Sequence, residues 1–167
     1  MKKNRFAGRC VRFFLGVVVF STAVFSCKES ADDLLKPKTI TDVIIENEQF
    51  SILREIVSYA KMNDALRTEE LTLFAPDNNA FGKANIFSSS KYTNKDTAQA
   101  FIENHIIVKK VIKYVDFKAS VEKSKNKKDL SITKIDSIVA INKSDIVIRD
   151  VHADNGIIQV IDSLVVK

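Results

Sequence analysis

The chain has no tryptophan, and only two cysteines, two prolines and four glycines among 167 residues. Two cysteines are too few for a disulfide scaffold or for a zinc site built on thiolates alone. The scarcity of glycine excludes a glycine-rich phosphate loop, since Gly8 and Gly16 already lie near the start of the chain. No Gly-x-Ser-x-Gly elbow of the esterase type is present. Scarce glycine and proline also leave little room for long low-complexity linkers. The apolar stretch 13–25 is thirteen residues long, short of the ~20 that a membrane-crossing helix needs. What is present is globular in kind: 46% hydrophobic and 28% charged residues, with aromatic packing resting on eleven Phe and three Tyr.

Lys2, Lys3, Arg5, Arg9 and Arg12 open the chain with no acidic residue among them. The apolar stretch follows, broken only by Gly16, Ser21 and Thr22. A basic start before a short apolar segment is the pattern of a secretory signal. It ends in Val24-Phe25-Ser26-Cys27, which resembles the lipobox of bacterial lipoproteins. That resemblance implies cleavage after residues 1–26, which carry Cys10 away, and a lipid on Cys27. The formal charge of +5 then belongs to the leader. Without its five basic residues, 21 basic and 21 acidic residues remain, and net charge gives no argument for a nucleic-acid partner. Residues 28–38 are polar and include Glu29, Asp32, Asp33 and Pro37, so they read as a tether between lipid and domain. Lys28 stands where enteric lipoproteins kept at the inner membrane carry Asp. The acidic residues beyond it resemble surface-export signals of Bacteroidetes-type lipoproteins. The implied location is the outer membrane with the domain facing outward, the periplasmic leaflet being the second choice.

Residues 39–167 read as one domain, large enough to bury about two-thirds of its unfolded surface. Thr39 or Thr41 is placed to cap a short helical turn holding Val43, Ile44 and Ile45. Phe50, Leu53, Ile56, Val57 and Ala60 then fall on one helical face. Leu71 to Phe74 is a short apolar run stopped by Pro76, a buried strand. Asp77, Asn78 and Asn79 are turn and cap residues before Ala80 and Phe81. Residues 88–94 read as loop, and Asp96 or Thr97 as the opening of a helix bearing Ala100, Phe101 and Ile102. Beyond His105 the period changes. Residues 106–117 are rich in Val and Ile, a Lys-rich stretch 118–128 interrupts, and alternating segments follow at 130–133, 139–141 and 146–148. Residues 142–145 form a hairpin turn, and Asp154-Asn155-Gly156 a second turn whose Asn-Gly pair supplies positive φ. Helices first and strands later predict an α+β domain.

Two segments resemble the fasciclin domain family. Leu71-Thr72-Leu73-Phe74-Ala75-Pro76-Asp77-Asn78-Asn79-Ala80-Phe81 is similar to the opening signature, a strand of type T-V-F-A-P before T-N-E-A-F. Asp154-Asn155-Gly156-Ile157-Ile158-Gln159-Val160-Ile161-Asp162 is similar to the closing signature N-G-V-I-H-V-I-D. Between them Phe101-Ile102-Glu103-Asn104-His105-Ile106-Ile107 resembles the Tyr-His segment. The resemblance implies a wedge or sandwich of about seven strands with helices packed at one side, and structural roles for Phe74, Ala75, Pro76, Asp77, Phe81, His105, Asn155, Gly156, Ile161 and Asp162. Asn104 replaces the family's Tyr and Gln159 its usual His, so integrin recognition is not carried over.

His105 and His152 are the only histidines, and neither has a Cys, Asp or Glu at helical ligand spacing on a convincing face. No metal and no cofactor are expected, and His105 reads as a buried hydrogen-bonding residue at a helix-to-strand junction. Asp77 with Asp154 or Asp162 offers a pair of carboxylates, but capping and turn roles account for all three. The charge is uneven. Lys109, Lys110, Lys113, Lys118, Lys123, Lys125, Lys127 and Lys128 face only Asp116, Glu122 and Asp129 across residues 105–130, a local +5, against −5 over residues 39–81. One reading makes Lys109, Lys110, Lys113, Lys123, Lys125, Lys127 and Lys128 a candidate binding surface, for anionic glycans, lipid headgroups or lipopolysaccharide phosphates. Lysines guarding an edge strand are the alternative. Tyr114 and Phe117 are too few aromatics for base stacking. The expected function is a non-enzymatic adhesion or ligand-binding module at the outer membrane. It meets an unknown protein or glycan and no nucleic acid. The second reading is an accessory subunit of an envelope uptake or assembly complex.

Overall fold

The computed structural model describes residues 36–165. The expected leader 1–26, Cys27 and most of the expected tether 28–38 lie outside the described residues. Thr39 opens α1 (Ile40–Glu46) with a reciprocal capping box. The Asp42 amide donates to Thr39 Oγ1 at 3.4 Å, and the Thr39 amide donates back to Asp42 Oδ2 at 3.0 Å. That carboxylate is held below its ordinary range, chiefly by the Thr39 hydroxyl. The stripe predicted over 50–60 is real. Leu53, Ile56, Val57 and Ala60 of α2 (Ser51–Ala60) are buried together with Phe50, which precedes the helix. A short α3 (Ala65–Thr68) leads to β1 (Leu71–Pro76). Asp77 then caps α4 (Asn78–Lys83), its Oδ1 accepting the Ala80 amide at 2.8 Å.

Some local expectations are corrected. β1 continues past Phe74, and Pro76 is its last residue, paired with Ile161. The expected loop 88–94 contains a 3-10 turn, Ser89–Tyr92. Neither Asp96 nor Thr97 caps α5 (Lys95–Asn104). Asn94 does so, accepting from both their amides at 2.9 and 3.2 Å. Only the first three residues of 106–117 are strand, β2 (Ile106–Val108); a 3-10 turn follows at Tyr114–Asp116. The Lys-rich stretch holds a strand, β3 (Ser120–Lys123). Three more strands come as expected in place: β4 (Asp129–Ile135), β5 (Ile138–Ile141) and β6 (Ser144–Ala153). β7 (Gly156–Ile161) ends the series. The β5–β6 turn is tighter than the predicted 142–145. Asn142 and Lys143 alone span it, with φ of 49° and 73°, the pair of positive values that a type I′ turn requires.

Among the described residues the seven strands form one mixed sheet in the order β2-β1-β7-β6-β5-β4-β3. Only β1 and β7 run parallel; they carry the two signature segments. This pair is buried on both faces, which is why both segments read as continuous apolar runs. Leu71, Leu73, Ala75, Ile158 and Val160 meet the helices in one core. Phe74 and Ile161, on the other face, meet Leu130, Ile132, Val139, Ile141 and Ile146 in a second. The second core exists because the sheet bends over itself, helped by register shifts along β6. The bend brings the two edge strands together. The Lys125 amide donates to the Ile106 carbonyl at 2.8 Å, so the β3–β4 turn covers the β2 edge. Every residue of both cores lies between Ile40 and Val165, so a chain begun at Lys28 keeps the whole core.

Candidate functional site

The closing signature is an anchor, built around Asn155. Its side-chain oxygen accepts the Ile40 amide at 3.0 Å, and its nitrogen donates to the carbonyls of Leu66 and Glu69 at 3.0 and 2.7 Å. Its own carbonyl accepts the Leu71 amide at 3.2 Å. One side chain thus ties α1, α3 and the entry to β1 onto the β6–β7 turn. The expectation that Asn155 and Gly156 both adopt positive φ is corrected: only Gly156 does, at 158°. Glycine is required there for a stronger reason. A Cβ would lie 2.0 Å from the Leu71 carbonyl oxygen of the parallel neighbour.

Of the two candidate carboxylate pairs, the structure separates Asp154 from Asp77 but brings Asp162 to the same hollow as Asp77. Asp154 sits at one end of β7, its amide donating to the Lys38 carbonyl at 2.8 Å. Asp162 sits at the other end and shares a small hollow with Asp77 and Lys83. Burial opposes the ionisation of Asp162. The Lys83 ammonium at 2.7 Å, the Asp145 amide and the Ser163 hydroxyl outweigh it and hold the carboxyl below its ordinary range. The same contact raises Lys83. Asp77 is spent on capping α4, and its second oxygen accepts Asn79 Nδ2 at 3.2 Å. Phe74 and Phe81 are fully buried, each in a different core.

His105 is inaccessible to solvent. Its Nδ1 lies 2.7 Å from the Phe101 carbonyl and its Nε2 accepts the Val165 amide at 3.3 Å. Those partners fix a neutral ring with the proton on Nδ1. Burial pushes its pKa down to about 4 against an ordinary 6.5, although the Phe101 carbonyl works the other way. The ring stacks at 4.4 Å from Phe101. Its role is to fasten the end of α5 to the C-terminal segment. Asn104, in the family's Tyr position, is buried too and accepts from Asn126 Nδ2 at 3.1 Å.

The bend in the sheet gathers the sequence-predicted lysines along the β2–β3 seam. Lys110 pairs with Glu122, Lys123 with Asp129, and Lys125 holds both oxygens of Glu69 at 2.7 and 2.6 Å. The Glu69 pair joins the basic stretch directly to the acidic 39–81 half, so the separation of charge seen in the sequence is reduced where they touch. Lys109, Lys113, Lys127 and Lys128 are exposed, and among the described residues none makes an ion pair.

Sequence reading missed a buried polar junction centred on Gln159, which is wholly inaccessible. Its Nε2 donates to the Ile112 carbonyl at 3.1 Å and to Asp150 Oδ1 at 2.7 Å, and its Oε1 accepts the Asp150 amide at 3.0 Å. Asp150 Oδ1 also accepts the Tyr114 amide at 2.8 Å. Thr72 completes the junction, its hydroxyl accepting the Ile112 amide at 2.9 Å and donating to the Lys110 carbonyl at 2.7 Å. Together these hold the long 109–117 segment against the sheet. The only sequence signal was a polar residue inside an apolar strand.

A pocket of about 530 Å³ opens between α4, the 89–92 turn, the β5–β6 hairpin and the C-terminal segment. Ala80, Ala84, Ile86 and Leu164 supply apolar lining; Lys83, Lys91 and Lys143 supply ammonium groups. None of its lining residues is acidic.

Comparison with known proteins agrees with this geometry. The sequence model of the fasciclin domain matches residues 48–167. Protein sll1483 of Synechocystis sp. (strain ATCC 27184 / PCC 6803 / Kazusa) is 31% identical over 131 residues, which cover 76% of this chain and 72% of that protein. The structure of a FAS1 domain pair from the insect cell adhesion molecule fasciclin I superposes with a TM-score of 0.66 at 16% identity. That match covers 78% of this chain, which spans about half of its neighbour at 51%. The α+β architecture with a seven-stranded mixed sheet is the FAS1 fold. The chain belongs to the fasciclin domain family, whose domains are associated with adhesion or ligand binding.

Proposed function

We propose that the protein is a non-enzymatic adhesion or ligand-binding module, tethered to the outer membrane through a lipid on Cys27 and facing outward. The observation that carries this reading is the fasciclin match over residues 48–167, on a domain whose polar interior is spent on structure. Among the described residues every buried side-chain nitrogen and oxygen has a hydrogen-bond partner. Active sites, by contrast, keep perturbed groups poised for reaction. Of the perturbed groups, Asp42, Lys83, His105 and Asp162 are each tied to named structural partners, and Tyr92 is raised by burial alone. The contact surface in this reading is the lysine seam, where Lys109, Lys113, Lys127 and Lys128 offer amines to anionic groups of a protein or glycan.

Binding of the chain begun at Lys28 to immobilised sulfated and uronic-acid glycans tests the reading. Glutamate at Lys109, Lys113, Lys127 and Lys128 together should weaken binding at least tenfold and flatten its salt dependence. Unchanged binding removes the seam from the account. Hydrolysis of generic esters or glycosides, abolished by Asp77→Asn or His105→Gln in a folded chain, replaces the account with an enzyme.

A further inference from the structure

We propose that the pocket between α4 and the β5–β6 hairpin is a second, separate site, which takes a single aliphatic chain ending in an anionic head, with fatty carboxylates as the simplest class. The inference deepens the ligand-binding reading and rests on it. The volume of about 530 Å³ lies within the range of small-molecule sites. The apolar lining is aliphatic: Ala80, Ala84, Ile86 and Leu164. Tyr92 also lines it, but its ring is turned inward against Phe101, 4.6 Å away, and the residue is only 6% exposed. No broad ring face is therefore presented to a sugar, and the lining suits methylene groups.

The head is selected by charge. The hydroxyls of the wall are engaged already: Ser144 Oγ donates to the Ser163 carbonyl at 3.0 Å, and Ser163 Oγ, 2.9 Å from Ser144 Oγ, donates to Asp162 Oδ1 at 3.1 Å. Recognition falls to the amines of the rim. Lys83 is shared with Asp162, while Lys91 and Lys143 make no ion pair among the described residues. Lys143 stands at the tip of the two-residue turn and Lys91 in the 3-10 turn across from it. Two uncompensated ammonium groups above an aliphatic floor favour an amphiphile whose head is negative and whose body is apolar.

Titration calorimetry and amide-shift mapping on the chain begun at Lys28 test this with decanoate, 1-decanol and acetate. Saturable binding of decanoate is expected, with shifts at Ala84, Ile86, Lys91, Lys143 and Leu164. Decanol should bind at least tenfold more weakly, and acetate should give no saturation. Lys91→Glu with Lys143→Glu should lower decanoate affinity at least tenfold while the remaining amide spectrum stays that of the folded chain. Absence of saturable decanoate binding, equal binding of decanol or acetate, or an unchanged affinity of the double variant overturns the proposal. Glycan binding at the lysine seam is read separately, with glutamates at Lys109, Lys113, Lys127 and Lys128. The pocket can thus fail while the broader reading stands.

Discussion

One methyl group at Gly156 probes the contact that locks the two signature segments together. In Gly156→Ala the new Cβ would lie 2.0 Å from the Leu71 carbonyl oxygen, 3.1 Å from the carbonyl carbon and 3.1 Å from Ile40 Cδ1. The first two are backbone atoms of β1, so no side-chain rotation relieves the clash. The strands must part by on the order of 1 Å to restore ordinary contact. That movement disturbs the Leu71 amide bond to Asn155 and, through it, the links from Asn155 to Ile40, Leu66 and Glu69. Overpacking costs about 1–3 kcal/mol, and a strained backbone about as much again. A loss of roughly 2–5 kcal/mol follows, and for a domain of this size the melting temperature should fall by roughly 10–20 °C. Gly156→Val should cost at least as much. Gly82→Ala is the internal control. Its nearest neighbour is Phe87 Cε1 at 3.9 Å and it lies in α4, so it should be neutral or gain up to about 1 kcal/mol. Thermal unfolding followed by circular dichroism reads both. A Gly156→Ala melting temperature within about 2 °C of the parent refutes the reasoning.

Acid should weaken the fold first through His105. Its folded pKa of about 4 lies below the ordinary 6.5, so the unfolded chain takes up the proton and the native one does not. Stability is therefore complete above the unfolded pKa and declines as the pH falls from 6.5 toward 4, by roughly 3 kcal/mol in all. Asp42 and Asp162, both held low, add their own loss at lower pH. Urea midpoints measured from pH 8 to 4 should show this decline, and His105→Gln should flatten it; a wild-type midpoint unchanged between pH 7 and 5 contradicts the assignment. Asn155→Ala leaves the Ile40 amide and the Leu66 and Glu69 carbonyls without their partner, and should cost about 2–4 kcal/mol by chemical denaturation. A loss below about 1 kcal/mol would show that water replaces those bonds. Cys27→Ala should release an intact domain from the membrane fraction, and a variant that still pellets through a high-salt wash contradicts lipid anchoring.

The parts of the fold that sequence reveals are those governed by neighbours. The α2 stripe follows from helical spacing, a hydroxyl cap for α1 from Thr39 or Thr41 before the apolar turn, of which the structure uses Thr39, and the central strands from apolar runs bounded by turn residues. The opaque parts depend on distant partners. Asn155 reads as a turn residue, yet it acts through a side chain that reaches Ile40, 115 positions away. Gln159 meets Ile112 across 47 positions. At the start of α5, Asn94, Asp96 and Thr97 are all able to cap, and local chemistry does not choose among them. β3 is invisible because an edge strand exposed on both faces carries no alternation. The lysine cluster is plain in the sequence, but its pairing with Glu69 requires the bend of the sheet. The 530 Å³ pocket is assembled from two distant stretches of chain, 80–92 with α4 and a 3-10 turn, and 142–164 with a hairpin and the C-terminal segment.

The claim that the folded domain works outside the cell, held by a lipid on Cys27, is tested most directly by protease shaving of intact cells, with metabolic lipid labelling of Cys27 as the anchor control. The account predicts that protease frees the folded domain, by cutting within residues 28–38, while the outer membrane is whole, and that Cys27→Ala removes the label. Protection until the outer membrane is opened contradicts outward display and moves the binding partner to the periplasm.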